Sequence, residues 1–490
     1  MKQLITCALG LLIACSCAKD DKTLTEKTVN QETIKEHIYF LTDDSLKGRE
    51  TGTAELKKAA AYLARQFESY GVSPNPKSGN YYQDVTLSQT APPELLAVTI
   101  NENPATDLVA VNAGKAEFNN AVYLGYGMES DYANQDVTGK VVVLKAGNDQ
   151  AKDARAAYGL RQQKQELAQS NGAVGIIELL NAQDQMWGFI YDSFTRTGVS
   201  LKRPEQEESS DFPYVWVLDT DAILADNLES NGLKSASLSM SGSNNKDIVS
   251  YNVVGVVEGT DPVLKDEYII YSAHYDHVGI GTPDESGDDI YNGARDNAVG
   301  TTTVLSMAEN LAKYPTKRSA LFILFTGEEK GLLGSRFYVD NPILPLEQMV
   351  YCFNSDNGGY NDTSLATIVG LSRTTAEKHI MRAADTFGLK AIDDPAGEQG
   401  LFDRSDNVNF ARKGIPAPTY SLGFSAFDAE ITKYYHQPGD EADTLDYDYL
   451  LQFFQSYVYS GRLIANDPET PRWTEGDKYE PVSKELYNIN

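Results

Sequence analysis

SALFILFTGEEKGLLGS, residues Ser319 to Ser335, joins an unbroken apolar run to a pair of carboxylates. Leu321 to Phe325 reads as a central strand buried on both faces, because no polar residue alternates with the apolar ones. Thr326-Gly327 breaks the run, and Glu328-Glu329 follows where the strand gives out. Gly331 to Ser335 then leads into a short helix. Open α/β sheets keep their sites at the carboxyl ends of their strands. Adjacent carboxylates point different ways, so one can hold a metal while the other faces a water. In isolation a solvated acidic turn would read the same. The rest of the chain decides between them.

From Tyr251 onward strands and helices alternate, the pattern of a layered α/β sheet. Strands are expected at Tyr268–Ala273, Ala320–Phe325, Met349–Asn354, Leu365–Val369 and Ala417–Leu422. Helices are expected at Thr301–Tyr314, Thr374–Phe387 and Tyr447–Ala465. Four further segments of this half carry potential ligands. They are Ser272 to His277, Gly293 to Ala298, Asn354 to Gly359 and Tyr434 to Asp440. His274 and Asp276 alternate along the first strand and should share a face, which suits Asp276 to hold the second nitrogen of His274. The chain has five histidines, His37, His274, His277, His379 and His436. His37 and His379 fall in helical stretches and read as packing or surface residues. His277 reads as part of a loop wall, with a metal-ligand role as the alternative. Each ligand segment alone is weak; five in one α/β unit point to a metal site.

The preceding part is organised differently. Gln31–Phe40 and Ala54–Tyr70 have helical spacing, with Leu56, Ala59, Ala60, Leu63 and Phe67 on one face of the second. Between them KGRETGT (Lys47–Thr53) reads as an irregular loop, and Gly71 fits a helix C-cap. From Val85 to Lys246 short β-like runs dominate: Leu96–Ile100, Ala121–Leu124, Lys140–Leu144, Val174–Leu180, Val215–Leu218 and Ala236–Met240. One helix, Ala151–Ser170, lies among them. No cluster of histidines, cysteines or paired carboxylates there suggests chemistry.

Of 490 residues, 42 are Lys or Arg and 70 are Asp or Glu, a formal charge of −28. Such a surface repels nucleic acid and anionic lipid, so neither is an expected partner. Lys2 followed by the apolar run Leu4–Ala14 has the shape of a secretory leader and is too short to span a membrane. Leu12-Ile13-Ala14-Cys15 resembles a bacterial lipobox, which implies an acylated Cys15, export and an outer-membrane lipid anchor on the periplasmic or outer face. Cys17, or ordinary secretion with cleavage near Ala18, are the alternatives. Loss of Cys7 and acylation of Cys15 would leave no convincing disulfide pair among the four cysteines. The expected organisation is a leader (1–14), a flexible tether (15–32), N-terminal helices (33–85), a β-rich insert (86–249), the α/β domain (250–470) and a C-terminal tail (471–490).

SAHYDHVG, GARDNAVG, FTGEEKGLLGS, the Asn-Ser-Asp strand end and YYHQPGD resemble, in order, the motifs of the M28 peptidase family. KGRETGT fits its bacterial members. The resemblance implies a zinc-peptidase fold of the phosphorylase/hydrolase-like kind, a mixed sheet flanked by helices. Lys140–Leu144, the helix and Gly172–Ile177 resemble the protease-associated domain, which implies that identity for the insert. Carried over, His274 and Asp356 would bind one zinc, Glu329 and His436 a second, and Asp296 would bridge the two. Glu328 would be the general base, Asp276 would orient His274, and Tyr435 would be a candidate electrophile for the oxyanion. A cis peptide is implied after Asp296. Ser405-Asp406-Asn407 stands where many members have Ser-Asp-His, which questions any role of that histidine in the specificity pocket. The implied activity is release of N-terminal residues from peptides by metal-activated water. A glutaminyl cyclase-like transferase with one zinc, or a binding protein on the same fold, are the alternatives, and amino- against carboxypeptidase stays open.

Overall fold

The computed structural model describes residues 20–202, 212–242 and 244–489. The leader and Cys15 lie outside the described residues. The chain divides into two units, Met1–Val85 with Val249–Asn490, and Thr86–Ile248.

The main sheet of the first unit includes β1 (Asn244–Val257), β2 (Tyr268–His274), β3 (Ser319–Phe325), β4 (Met349–Ser355), β5 (Leu365–Val369), β6 (Lys390–Asp393) and β7 (Thr419–Leu422). They lie in the order β1-β3-β2-β4-β7-β5-β6. β3, β2, β4 and β7 are mutually parallel. β1 is antiparallel to β3, and β5 is antiparallel to β7, so the sheet is mixed. Every residue of β3, β4 and β5 is buried, the property the apolar run at 321–325 predicts. Parallel pairing brings the ends of β2, β3 and β4 to one edge, with His274 opposite Phe325 and Ser272 opposite Asn354. That register brings the ligand segments together.

Helices α1 (Asp21–Glu26), α2 (Gln31–Leu41), α3 (Ala54–Tyr70) and α4 (Gly300–Lys313) precede β3. The expected face of α3 is buried, Thr53 caps its start and Gly71 its end at φ 82°. The expected tether is different from Asp20 on. Asp21 pairs with Arg462 at 2.6 Å, Asn310 donates to the Leu24 carbonyl at 2.9 Å, and Asn30 caps α2. Arg462 is nearly fully buried, and Asp21 supplies the charge such a cation needs. The C-terminal segment is also folded: Trp473 is buried and donates to the Gly414 carbonyl at 3.0 Å. Arg373 lies 4.0 Å from the Phe402 ring and pairs with Asp477 at 2.7 Å.

The second unit contains a five-stranded sheet and a four-stranded one. Its helix Ala154–Ser170 buries Lys164 against Glu178 at 2.5 Å, both fully out of water. Glu178 also accepts from Tyr214 and Trp216, and Lys164 donates to the Lys145 carbonyl, so every charge is answered. The helix Asp184–Thr195 and the strand Leu108–Asn112 were not legible as elements in the sequence. Among the described residues no helix is long and apolar enough to cross a membrane.

Candidate metal centre

His274 ends β2. Its Nε2 lies 3.3 Å from Asp296 Oδ1 and 3.2 Å from Asp356 Oδ1. His436 Nε2 lies 3.1 Å from Asp296 Oδ2 and 3.2 Å from Glu329 Oε2. The two oxygens of Asp296 thus face two separate donor groups. His274, Asp296 and Asp356 form one; Asp296, Glu329, His436 and His277 form the other, with donor atoms within 4.8 Å of one another in each. All five sequence-predicted ligands meet here.

Asp296 is held from both sides. Asp440, itself buried against Arg295 at 2.9 Å, accepts from the Arg295 and Asp296 amides. The Asp296–Asn297 peptide is cis. The Asn297 side chain donates to the Ser355 carbonyl at 2.9 Å and accepts from Asn357 at 3.0 Å, joining this turn to the end of β4. A side chain at Gly300 would meet Asn297 Oδ1 at 2.2 Å, so that position must be glycine.

Asp276 departs from its expected contact. His274 Nδ1 lies 3.1 Å from the main-chain carbonyl of Asp276, not from its carboxylate. β2 ends at His274, so strand alternation no longer applies two residues on. The Asp276 carboxylate instead accepts from Thr51 Oγ1 at 2.7 Å and from the Glu328 amide at 3.1 Å. It therefore fixes the backbone that presents Glu328.

Two residues make contacts here that the sequence reading does not assign to them. His277 is fully buried, with Nδ1 2.8 Å from Glu329 Oε1, which turns Oε2 toward His436. Its Nε2 has no partner among the described residues. Arg49 is also buried. It donates to the carbonyls of Tyr275 at 2.9 Å, Asn292 at 2.7 Å, Gly293 at 3.1 Å and Leu41. One guanidinium thus ties together the segments carrying Asp276 and Asp296. Burial pushes it down to about 10, while Asp276 and Asp296 pull it back. Only the pairing of KGRETGT with loops more than 200 residues away reveals this, and no local pattern encodes it.

The electrostatics are those of a cation site. Burial opposes charge on His436, yet its hydrogen bonds to Asp296 and Glu329 raise it to about 10. His274 is likewise raised well above its ordinary value, against burial, by Asp356 and Glu328. Burial and Asp296 work to raise Glu329, but His277 and His436 hold it at about 2. Burial pushes Glu328 well above the ordinary carboxylate range. Four carboxylates converge on a pocket in which His274 and His436 are both raised above their ordinary value, and a divalent cation can balance that negative charge. Imidazole nitrogens with carboxylate oxygens are a donor set that suits zinc. The residues fit the metal.

A cavity opens from this cluster. Glu328 lines it, with Val369, Leu401, Phe424, Phe427 and Ile431 as apolar wall. Tyr435 stacks on His436 at 4.1 Å between ring centres and accepts from Arg404 at 3.3 Å. Asn407 is buried away from the cavity, donating to the Ala417 carbonyl at 3.1 Å. Arg404 and Ser405 form the wall at that point.

The geometry describes a mixed α/β unit with a candidate metal centre at its sheet edge, and residues 252–459 match the model of Peptidase family M28. That segment is similar to the M28 peptidases. Over 247 residues the chain is 28% identical to Aminopeptidase YwaD of Bacillus subtilis (strain 168), covering 48% of this chain and 50% of that protein. The match spans about half the length of that relative. An aminopeptidase from Aneurinibacillus sp. strain AM-1 shares the fold at a TM-score of 0.58 and 22% identity, covering 92% of this chain and 97% of that one. BSAP, a zinc aminopeptidase from Bacillus subtilis, gives 0.50 and 20%, covering 92% and 97%.

Proposed function

We propose that the protein is a zinc-dependent exopeptidase that releases N-terminal residues from peptides. The observation that carries this reading is the Asp296 carboxylate, which faces two donor groups with one oxygen each, beside the buried Glu328. His274 and Asp356 would hold one zinc, Glu329 and His436 the other, and Asp296 both. Bound there, zinc supplies Lewis-acid polarisation of the scissile carbonyl and lowers the pKa of water. Glu328 takes the proton of the attacking water and delivers it to the leaving amine. The Tyr435 hydroxyl, steadied by Arg404, donates to the developing oxyanion. The acid-rich end of the cavity suits a free α-ammonium group, which favours the amino terminus. The names of the similar aminopeptidases support the same direction.

The test is a substrate panel with and without a chelator. Leu-anilide should be cleaved, its N-acetyl form should not, and chelation should abolish turnover. Cyclisation of an N-terminal Gln peptide by protein holding one zinc per chain would overturn the reading in favour of the transferase.

The second unit, without a ligand cluster among its described residues, is proposed as a protease-associated-type insert. Export and anchoring through Cys15 are proposed from the leader sequence. Wild-type protein should enter the detergent phase and Cys15→Ala should not; a wholly soluble wild type would refute the anchor.

A further inference from the structure

The cavity wall carries a single permanent cation among its described lining residues, Arg404. It is exposed, and its Nη2 donates to the Tyr435 hydroxyl at 3.3 Å. The neighbouring Asp403 turns to Lys478 instead, at 3.3 Å. Among the described residues no carboxylate lies within ion-pair distance of Arg404. In a chain with 70 acidic and 42 basic residues, a guanidinium at the mouth of an acid-rich cavity without an acidic partner is out of keeping. Its planar fork matches a carboxylate through two parallel hydrogen bonds.

We propose that Arg404 receives the free terminal carboxylate of the residue behind the scissile bond, so that the preferred substrates are dipeptides. This rests on the exopeptidase reading and names its substrate class. In a dipeptide three bonds separate the scissile carbonyl carbon from the carboxylate carbon, a reach of at most about 4 Å. Tyr435 is the group set against that carbonyl oxygen, and Arg404 is one hydrogen bond beyond Tyr435. A guanidinium there reaches the carboxylate of a dipeptide. Each added residue moves the carboxylate about 3.5 Å further off, past the fork. The apolar wall of Val369, Leu401, Phe424, Phe427 and Ile431 is left for the N-terminal side chain. An acidic N-terminal side chain is the other source of the same carboxylate chemistry, and that wall does not suit it.

The experiment uses the full, zinc-loaded chain with Leu-Gly, Leu-Gly amide, Leu-Gly-Gly, Leu-anilide and Asp-anilide. Wild type should prefer Leu-Gly over its amide by about 10- to 100-fold in kcat/KM, the scale of a hydrogen-bonded charge pair. Most of that difference should lie in KM. Arg404→Gln should bring the ratio close to one, and Arg404→Lys should restore part of it. A wild type without this preference overturns the proposal. So does an Arg404→Gln loss of equal size on every substrate, which assigns the residue to Tyr435 alone. Arg404-dependent preference for Asp-anilide over Leu-anilide overturns it in favour of the side-chain carboxylate. If no substrate is cleaved, the exopeptidase reading itself fails and the proposal falls with it; any cleavage at all separates the two failures.

Discussion

Asp296→Asn should empty the metal centre. Bound zinc should fall from about two per chain to one or none, and turnover should drop by at least ~10²-fold, beyond the usual cost of disturbing a residue that merely supports a ligand. The reason lies in the two-sided carboxylate. Oδ1 is 3.3 Å from His274 Nε2 and Oδ2 is 3.1 Å from His436 Nε2. An amide of the same shape offers an oxygen to one group and an N–H₂ to the other, so one half loses a donor whichever way it turns. The fold should survive, since Asn297, Asp440 and Arg295 fix the turn by contacts that do not involve the Asp296 side chain. In the metal-free chain, against burial, His274 and His436 hold Asp296 well below the ordinary carboxylate range, so its charge contributes stability at neutral pH. The chelator-treated variant should therefore melt below chelator-treated wild type. Metal analysis and melting curves check both halves. Two tightly held zincs in the variant would sink the bridging role.

What the sequence discloses and what it hides follow different physics. β3 is legible because burial on both faces forces a continuous apolar run, and the run ends where the carboxylates begin. Three of the five metal-ligand candidates are legible because parallel strands deliver their ends to one edge, with His274 ending β2 and Glu329 and Asp356 following β3 and β4; Asp296 precedes a helix, and His436 lies in a loop. Asp276 is misread because the strand stops at His274, and alternation holds only while the backbone stays extended. His277 is misread because its partner, Glu329, lies 52 residues away. Arg49 and the Lys164–Glu178 pair are invisible for the same reason. A charged residue in a loop or on a helix reads as exposed unless its distant partners are known. Asp21 likewise reads as tether until Arg462, 441 residues later, is brought beside it.

Glu328→Gln and Glu329→Gln, one residue apart, should fail in opposite ways. Glu329 accepts from His277 at 2.8 Å and faces His436 at 3.2 Å, inside the second donor group. Glu328 is in neither group; it lines the cavity, and its amide is pinned by the Asp276 carboxylate at 3.1 Å. The turn Thr326-Gly327 after a rigid strand lets neighbours diverge, with Gly327 at φ 71°. Glu328→Gln keeps the shape but cannot take a proton from water. Turnover should fall by about 10²- to 10⁴-fold, the range for loss of a general base, with zinc content and melting temperature near wild type. Glu329→Gln removes a charged oxygen facing His436, so zinc should be lost and activity partly regained in excess zinc. Metal analysis and kinetics on both variants separate the roles. Zinc lost from Glu328→Gln and kept by Glu329→Gln would reverse the pair. Activity retained by both would move the chemistry elsewhere, because no other described carboxylate both lines this cavity and stands outside the two donor groups.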